Sequence, residues 1–220
     1  MRLSFAAGGY IQQKYTLEED GYLIKNELSF MGLGNVIPRN VNSMDVDFSV
    51  LIPRMEKGYK NEVQYSKIDY YFDGEKKPVE LAKGRGGSKR IDSKLSWFSF
   101  HQQFFSAIMR CPDEFSSGEL SATFMSQDDP ERNLMACEAR MRKEFKPGED
   151  VVIPFEFYFG PNHYQTLKSY DQKYEKTIPL GGWLVGWFTK YVIIPLFNFL
   201  HRFIDNFGII ILLMTIVIKI

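Results

Sequence analysis

The chain has 220 residues, with 27 Lys and Arg against 27 Asp and Glu, so its formal net charge is zero. This balance excludes proteins that hold nucleic acid or anionic lipid through bulk electrostatics alone. A hydrophobic fraction of 45%, with 19 Phe and 12 Tyr, excludes disorder, because burying such groups offsets the entropy lost on folding. Cys111 and Cys137 lack metal-ligand spacing, so we expect no metal or cofactor; the two cysteines either pair or remain buried thiols.

Three segments alternate apolar and polar side chains with a period of two, as β-strands do. The apolar sets are Val46, Phe48 and Val50; Ile68, Tyr70 and Phe72; and Ile153, Phe155, Phe157 and Phe159. Weaker strand patterns cover residues 21–30, 97–108, 119–126 and 134–142, and turn formers such as Asp73-Gly74 separate the segments. Many short strands with regular turns predict a mainly β fold, an antiparallel sandwich over residues 1–180.

Two further features of this body are less regular. Ala82–Arg90 (AKGRGGSKR) lacks the spacing of a phosphate-binding loop, and its mixture of glycine and basic residues predicts a mobile hairpin tip. Asn162 is a candidate N-cap, because the residues after it show helical spacing, namely Leu167, Tyr170 and Tyr174. We therefore predict one short helix after Asn162.

The density of charge falls abruptly at Gly181. From there to Ile220 the charged residues are Lys190, Arg202, Asp205 and Lys219. Apolar side chains recur at helical spacing, which predicts an amphipathic helix within 181–207. Trp and Tyr favour the membrane interface. We expect this helix to lie on a lipid bilayer through Trp183, Trp187, Tyr191, Phe197, Leu200, Phe203 and Ile204. An ordinary core helix of the soluble body is the alternative.

The last segment, Phe207–Ile218, carries no charge, but a bilayer-spanning helix needs about 20 apolar residues. The run is therefore either a buried tail or the start of a transmembrane helix over 208–220. In the second case Lys219 lies roughly 16 Å from Gly208 along the helix, near the centre of a hydrocarbon layer about 30 Å thick. A cation there is costly unless it faces water or a partner. Lys219 and Thr215 then line a hydrophilic path; the alternative is that Lys219 snorkels at the end of a short apolar segment.

The carboxyl-terminal sequence resembles that of a known family. Trp187–Ile220 is similar to the interfacial helix, Asn-x-Gly junction and Ile-rich first core helix of the YidC membrane-protein insertases of Gram-negative bacteria. Three parts of the body resemble the large periplasmic domain of that family. They are Gln64–Phe72 with its Tyr70-Tyr71 pair, Trp97–Phe105 (WFSFHQQFF), and Phe157–Lys168 with Gly160-Pro161.

The resemblance implies a mutarotase-like β-supersandwich in the periplasm, attached to the bacterial inner membrane. It implies nascent membrane proteins, the Sec translocon with its accessory subunits, and the lipid bilayer as partners. Lys219 falls where the family has one basic residue, usually Arg, in a hydrophilic groove, and Thr215 matches a polar groove position. Lys keeps that charge without the planar fork of Arg. We expect an amino-terminal membrane anchor, the start of the periplasmic domain and further core helices to lie outside these 220 residues.

Two other functions are compatible with a sandwich. A mutarotase-like enzyme needs an acid and a base that converge on one sugar carbon, and His101, His163 and His201, with a carboxylate such as Glu156, are the residues available. A carbohydrate- or peptide-binding module instead needs a concave sheet face with exposed aromatic rings. We expect no catalytic residues.

Overall fold

The computed structural model describes residues 1–6, 8–19, 21–38, 40–146, 148–181 and 183–219, without the side chains of Trp183 and Leu184. Two parts of the membrane prediction, Ile220 and the Trp183 side chain, therefore lie outside the described residues. The chain divides into two compact units, Met1–Glu175 and Lys176–Ile220.

The first unit is built from two antiparallel sheets. The larger sheet has eight described strands, in the spatial order β1 (Arg2–Ser4), β2 (Tyr10–Leu17), β3 (Leu23–Met31), β12 (Val151–Pro161), β9 (Phe105–Phe115), β8 (Leu95–His101), β5 (Lys67–Tyr71) and β6 (Val79–Leu81). The smaller sheet has four, in the order β4 (Ser43–Pro53), β11 (Asn133–Glu144), β10 (Ser117–Phe124) and β7 (Gly87–Ile91). The predicted antiparallel sandwich is confirmed.

The core lies between the two sheets and is rich in Phe. Phe98, Phe115 and Phe155 are buried, and the ring of Phe48 lies 5.6 to 6.0 Å from those of Phe98 and Phe100. Of the alternating apolar sets, Ile68, Tyr70, Ile153 and Phe155 are buried in this core, whereas Phe159 is 45% exposed. Cys111 and Cys137 are buried free thiols, and burial raises their pKa values to about 11 and about 12.

The prediction of a hairpin tip at Ala82–Arg90 is wrong. β6 belongs to the larger sheet, whereas β7 pairs with β10 in the smaller one, so this segment crosses between the sheets. Ala82 and Gly84 have φ angles of 59° and 65°. The left-handed backbone turns the chain out of β6, and the Gly84 N–H donates to the Ser66 carbonyl at 3.2 Å.

The helix predicted after Asn162 is shorter than expected and begins elsewhere. α2 covers Tyr164–Ser169, with His163 at its N-cap position and no capping side chain. Asp171 and Lys173 have φ angles of 54° and 61°, which end the helix, and a separate 3₁₀ turn covers Tyr174–Thr177. The spacing of Leu167 and Tyr174 identified two buried residues, but the backbone between them is not continuous helix.

The remaining helices are short. α1 (Tyr59–Tyr65) lies in the first unit. The second unit contains α3 (Trp183–Phe188), a π-helical turn (Thr189–Ile193), α4 (Ile194–His201) and α5 (Phe207–Lys219). Pro195 explains the π turn, because its missing N–H and bulky ring disturb the helix around the carbonyl four residues earlier. The amphipathic helix predicted up to Phe207 ends at His201, so Phe203 and Ile204 lie in the connection to α5.

Candidate functional site

Trp187 and Tyr191 form an exposed aromatic pair in the second unit. Their ring centroids lie 5.9 Å apart, and the exposed fractions of the two residues are 55% and 59%. The Lys190 ammonium lies 5.3 Å from the Tyr191 ring, close enough for a cation–π contact. An exposed pair of amphipathic rings beside a cation has the chemistry of a membrane-interface anchor. The side chain of Trp183, predicted to join this set, lies outside the described residues.

The other four predicted interface residues differ in how exposed they are and in what they contact. Phe197 is half-buried and stacks on Phe207 at 5.9 Å, which joins α4 to α5. Phe203 is 74% exposed and packs edge-on against Phe199 at 5.4 Å. Leu200 and Ile204 are half-buried. Of these four residues, Phe197 therefore links α4 to α5, and Phe203 projects away from the helices.

Asn206 fixes the start of α5. Its side-chain oxygen accepts hydrogen bonds from the N–H groups of Gly208 at 2.9 Å and Ile209 at 3.3 Å, as an N-cap does. The amphipathic helix predicted within 181–207 includes Asn206 and gives it no capping role. An Asn immediately before an uncharged apolar run is the signal that would have identified it.

Thr215 and Lys219 lie on one exposed face of α5, four residues apart. The Thr215 hydroxyl donates to the Ile211 carbonyl at 2.7 Å, which leaves its oxygen free to accept. No carboxylate of the described residues lies within salt-bridge distance of Lys219. The neighbouring side chains are apolar and exposed; they include Ile211, Leu212, Ile216, Val217 and Ile218.

The length of α5 limits what this helix does alone. It has 13 residues, which corresponds to about 20 Å at about 1.5 Å per residue. Within the described ranges, no helix combines the length and the apolar character needed to cross a bilayer.

The sandwich contains a buried polar cluster around His101. The Asn162 amide donates to His101 Nε2 at 3.2 Å and to the Gln102 carbonyl at 2.8 Å. His101 Nδ1 lies 2.6 Å from the Ser106 hydroxyl, which in turn donates to the Asn162 side-chain oxygen. Asn162 is therefore the centre of a closed network and not the helix cap that we predicted. Burial, with the nearby Lys67 and Lys83, lowers the pKa of His101 to about 3.

A second polar group lies on β5 and β6. Lys67 is buried and contacts Asp69 at 3.1 Å and Glu80 at 2.9 Å. Burial raises the pKa of Asp69 to about 6, although the Lys67 charge opposes this. In the described part of the chain, His, Cys, Asp and Glu nowhere form a group of three that could hold a metal ion.

The residues required for a mutarotase-like site have other partners. Glu156 accepts from Arg110 at 2.8 Å, His101 belongs to the closed network, and His163 contacts Thr166 at 2.8 Å. The sandwich does contain concave apolar surface. One cavity of about 650 Å³ is lined by Phe100, Phe105 and Phe159, and another of about 480 Å³ is lined by Tyr15, Phe48 and Phe157.

Fold and site together define a class, an antiparallel β-sandwich domain followed by helices with exposed apolar faces. Residues 1–195 match the family model of the YidC periplasmic domain. The chain therefore belongs to the YidC family.

Similar proteins from several organisms carry the name membrane protein insertase YidC. The one from Parabacteroides distasonis is 33% identical over 237 residues, which cover 100% of this chain and 35% of that protein. The one from Porphyromonas gingivalis is 28% identical over 100% of this chain and 36% of its own length. The one from Amoebophilus asiaticus is 30% identical over 96% of this chain and 35% of its own length. The chain thus spans roughly a third of the relatives that it matches.

Proposed function

We propose that this chain is the periplasmic sandwich and first helical segment of an insertase that places membrane proteins into the bacterial inner membrane. The observation that carries the proposal is the similarity to proteins named as insertases, which extends over 100% of the chain. The match to a periplasmic-domain model supports placing the sandwich in the periplasm.

In this proposal the second unit provides the contact with lipid. Trp187, Tyr191 and Phe203 are exposed, and they enter the interface, while the apolar side chains of α5 enter the hydrocarbon. α5 then continues into a transmembrane helix beyond Lys219. The exposed faces support this arrangement because a bilayer supplies the apolar surroundings that such side chains lack in water.

Lys219 and Thr215 supply the polar groups that contact the hydrophilic segment in this proposal. A cation and a hydroxyl on one face of an otherwise apolar helix lower the free energy of drawing a hydrophilic segment of a nascent membrane protein partway into the bilayer. The helix places both groups on the same side, and the described residues supply no carboxylate to neutralise Lys219. The proposed action is non-covalent, so the protein is not an enzyme.

The polar clusters of the sandwich support a structural role rather than sugar chemistry. The low pKa of His101 keeps its ring neutral near pH 7, so this ring is not an acid for a mutarotase reaction. Arg110 holds Glu156 in an ion pair.

Substitution of Lys219 in the full-length protein tests the proposal. We expect Lys219→Glu to abolish insertion of a client protein in cells depleted of their own insertase, and Lys219→Arg to preserve it. Arg202→Glu is the matched control, because Arg202 is an exposed cation outside the apolar run. Full insertion by Lys219→Glu would contradict the role of the cation.

The Sec translocon and its accessory subunits are proposed partners on the basis of the family resemblance. We expect a chemical cross-linker to join the full-length protein to translocon subunits in intact membranes. Insertion without any such cross-link would restrict the proposal to an insertase that works alone.

A further inference from the structure

Three aromatic rings meet where α4 is followed by α5. Phe197 and His201 lie on α4, four residues apart and therefore on one face, and Phe207 is the first residue of α5. Between ring centroids, His201 lies 5.0 Å from Phe207 and 6.2 Å from Phe197, and the two Phe rings lie 5.9 Å apart. Each of the three rings in this cluster therefore contacts both of the others.

A hydrogen bond fixes the orientation of the His201 ring. Its Nδ1 lies 3.3 Å from the carbonyl oxygen of Ile204. Because a carbonyl oxygen only accepts, Nδ1 carries a proton and donates it. The N–H of Ile204 donates to the Leu200 carbonyl at 3.0 Å. Both backbone polar groups of Ile204 are therefore bonded to α4, and one of them is held by the imidazole.

The connection between α4 and α5 is fixed at both of its ends. Ile204 is bonded to α4, whereas the Asn206 side chain caps α5 through the N–H groups of Gly208 and Ile209. In the sequence, Asp205 alone separates Ile204 from Asn206. A connection with so few free residues transmits the position of the last turn of α4 to the first turn of α5.

Phe207 also marks the side of α5 that packs. Ile210 and Met214 are the buried residues of α5, and at about 100° per residue they lie within about 60° of Phe207 around the helix. Thr215 and Lys219 lie about 80° and about 120° from Phe207 on the same scale. The angular position of Phe207 against α4 therefore sets the direction in which the polar face of α5 points.

The other ring pair of this segment joins α4 to the connection and not to α5. Phe199 packs against Phe203 at 5.4 Å, and both residues are more than half exposed. Among the described residues, the cluster of Phe197, His201 and Phe207 is therefore the aromatic link between the two helices. Of its three rings, only the imidazole of His201 can also donate a hydrogen bond to the connection.

We propose that His201 is a positioning residue for Thr215 and Lys219. Its ring holds Phe207 against Phe197, and its Nδ1–H holds the connection, so that α5 keeps one rotation about its own axis. That rotation turns the hydroxyl and the ammonium toward water rather than toward lipid. The inference rests on the proposed function, in which these two polar groups receive the hydrophilic segment of a client protein.

Spin labels in the full-length protein in liposomes test the rotation of α5. Labels at Thr215→Cys and Val217→Cys report access of a water-soluble nickel complex to the two sides of the helix. We expect His201→Ala to lower the ratio of access at position 215 to access at position 217 roughly two- to tenfold, the range that loss of an aromatic pair produces. His201→Phe keeps the ring and should preserve most of the ratio, whereas His201→Asn keeps a donor without the ring and should behave like His201→Ala.

Asn198→Ala is the matched control, because it changes a polar side chain of α4 and leaves the three rings in place. The positioning role is overturned if His201→Ala leaves the ratio unchanged, if His201→Phe lowers it as much as His201→Ala does, or if Asn198→Ala lowers it equally. Each of these results would show that the ring of His201 does not set the rotation.

Client insertion, normalised to the amount of protein in the membrane, separates this inference from the proposed function. We expect insertion to fall in His201→Ala and to recover in His201→Phe, which a general loss of folding would not produce. Normal insertion by His201→Ala together with loss in Lys219→Glu would overturn the positioning role alone. Normal insertion by both variants would overturn the proposed function as well.

Discussion

The two units of this protein use apolar side chains in opposite ways. In the sandwich, Phe98 and Phe115 are fully buried, so the unit itself supplies their apolar surroundings. In the helical unit, Phe203 is 74% and Leu212 is 61% exposed. The same residue types therefore form the core of the first unit, whereas in the second unit several of them project outward. A composition averaged over the whole chain conceals this division.

The largest expected effect is in the sandwich core. Phe98→Ala removes a ring that packs against Phe48, Phe100 and Phe115, so we expect it to lower the free energy of unfolding by about 3–5 kcal/mol. Phe203→Ala, the matched change in the helical unit, should lower it by less than about 0.5 kcal/mol. Urea unfolding in mild detergent measures both. Equal losses of unfolding free energy in Phe98→Ala and Phe203→Ala would contradict the difference between the two units.

Acid pH should weaken the sandwich through His101. Its folded-state pKa of about 3 lies below the ordinary value of 6.5, so the unfolded chain binds the extra proton and stability falls as the pH drops from 6.5 toward 3. The shift corresponds to at most about 5 kcal/mol. Asp69 has the opposite effect on stability, because its folded-state pKa is raised to about 6. The folded protein therefore binds the extra proton, and the contribution of Asp69 to stability rises as the pH falls from 6 to 3.8.

His101→Gln isolates the histidine contribution. We expect its unfolding free energy to fall less steeply with acid than that of the unchanged chain, or even to rise. Unfolding curves of the variant and of the unchanged chain, measured between pH 7 and 4, test this expectation. Identical pH slopes would show that His101 is not the group that titrates.

A smaller effect concerns lipid binding. Burial of one Phe side chain is worth about 1.5–3 kcal/mol, so Phe203→Ser should weaken liposome binding roughly tenfold or more. Phe104→Ser is the matched control, since Phe104 is 52% exposed but belongs to the sandwich. Sedimentation with liposomes measures both variants, and an equal loss with Phe104→Ser would contradict a specific role of the helical unit.

The smallest effect is at the start of α5. Asn206→Ala removes the capping oxygen, so we expect it to destabilise the helix by about 1 kcal/mol. NMR chemical shifts in detergent micelles should show fraying at Gly208 and Ile209. Asn198→Ala, within α4, should leave that turn unchanged; fraying in both variants would indicate general loosening.

The sequence predicted the strands better than the connections between them. Alternation identified Ile153 and Phe155 because one face of β12 is buried, and the burial of a face is a local pattern. The alternation missed Tyr158, which is also buried and whose hydroxyl donates to the Pro161 carbonyl at 2.6 Å. The rings that pack over Tyr158 include those of Tyr170 and Tyr174, which follow the strand in the sequence, so the strand pattern does not reveal its burial. α1 has seven residues, too few for a helical period to be recognised.

The candidate site was predictable only in part. Helical spacing placed Thr215 and Lys219 on one face, and the structure agrees. The roles of Asn162 and Ala82–Arg90 depended on pairing across the fold, with His101 in one case and with β10 in the other. Contacts between residues distant in sequence leave no local periodicity.

The central claim is that α5 lies in lipid on one face and borders water on the face of Thr215 and Lys219. Spin labels at Thr215→Cys and Val217→Cys in the full-length protein in liposomes test it directly, because Val217 lies two residues from both Thr215 and Lys219 and therefore on the opposite face of the helix. The native Cys111 and Cys137 are buried, with raised pKa values, and should not take the label. We predict that position 217 is accessible to oxygen and position 215 to a water-soluble nickel complex. Equal access of the nickel complex to both positions would contradict the claim.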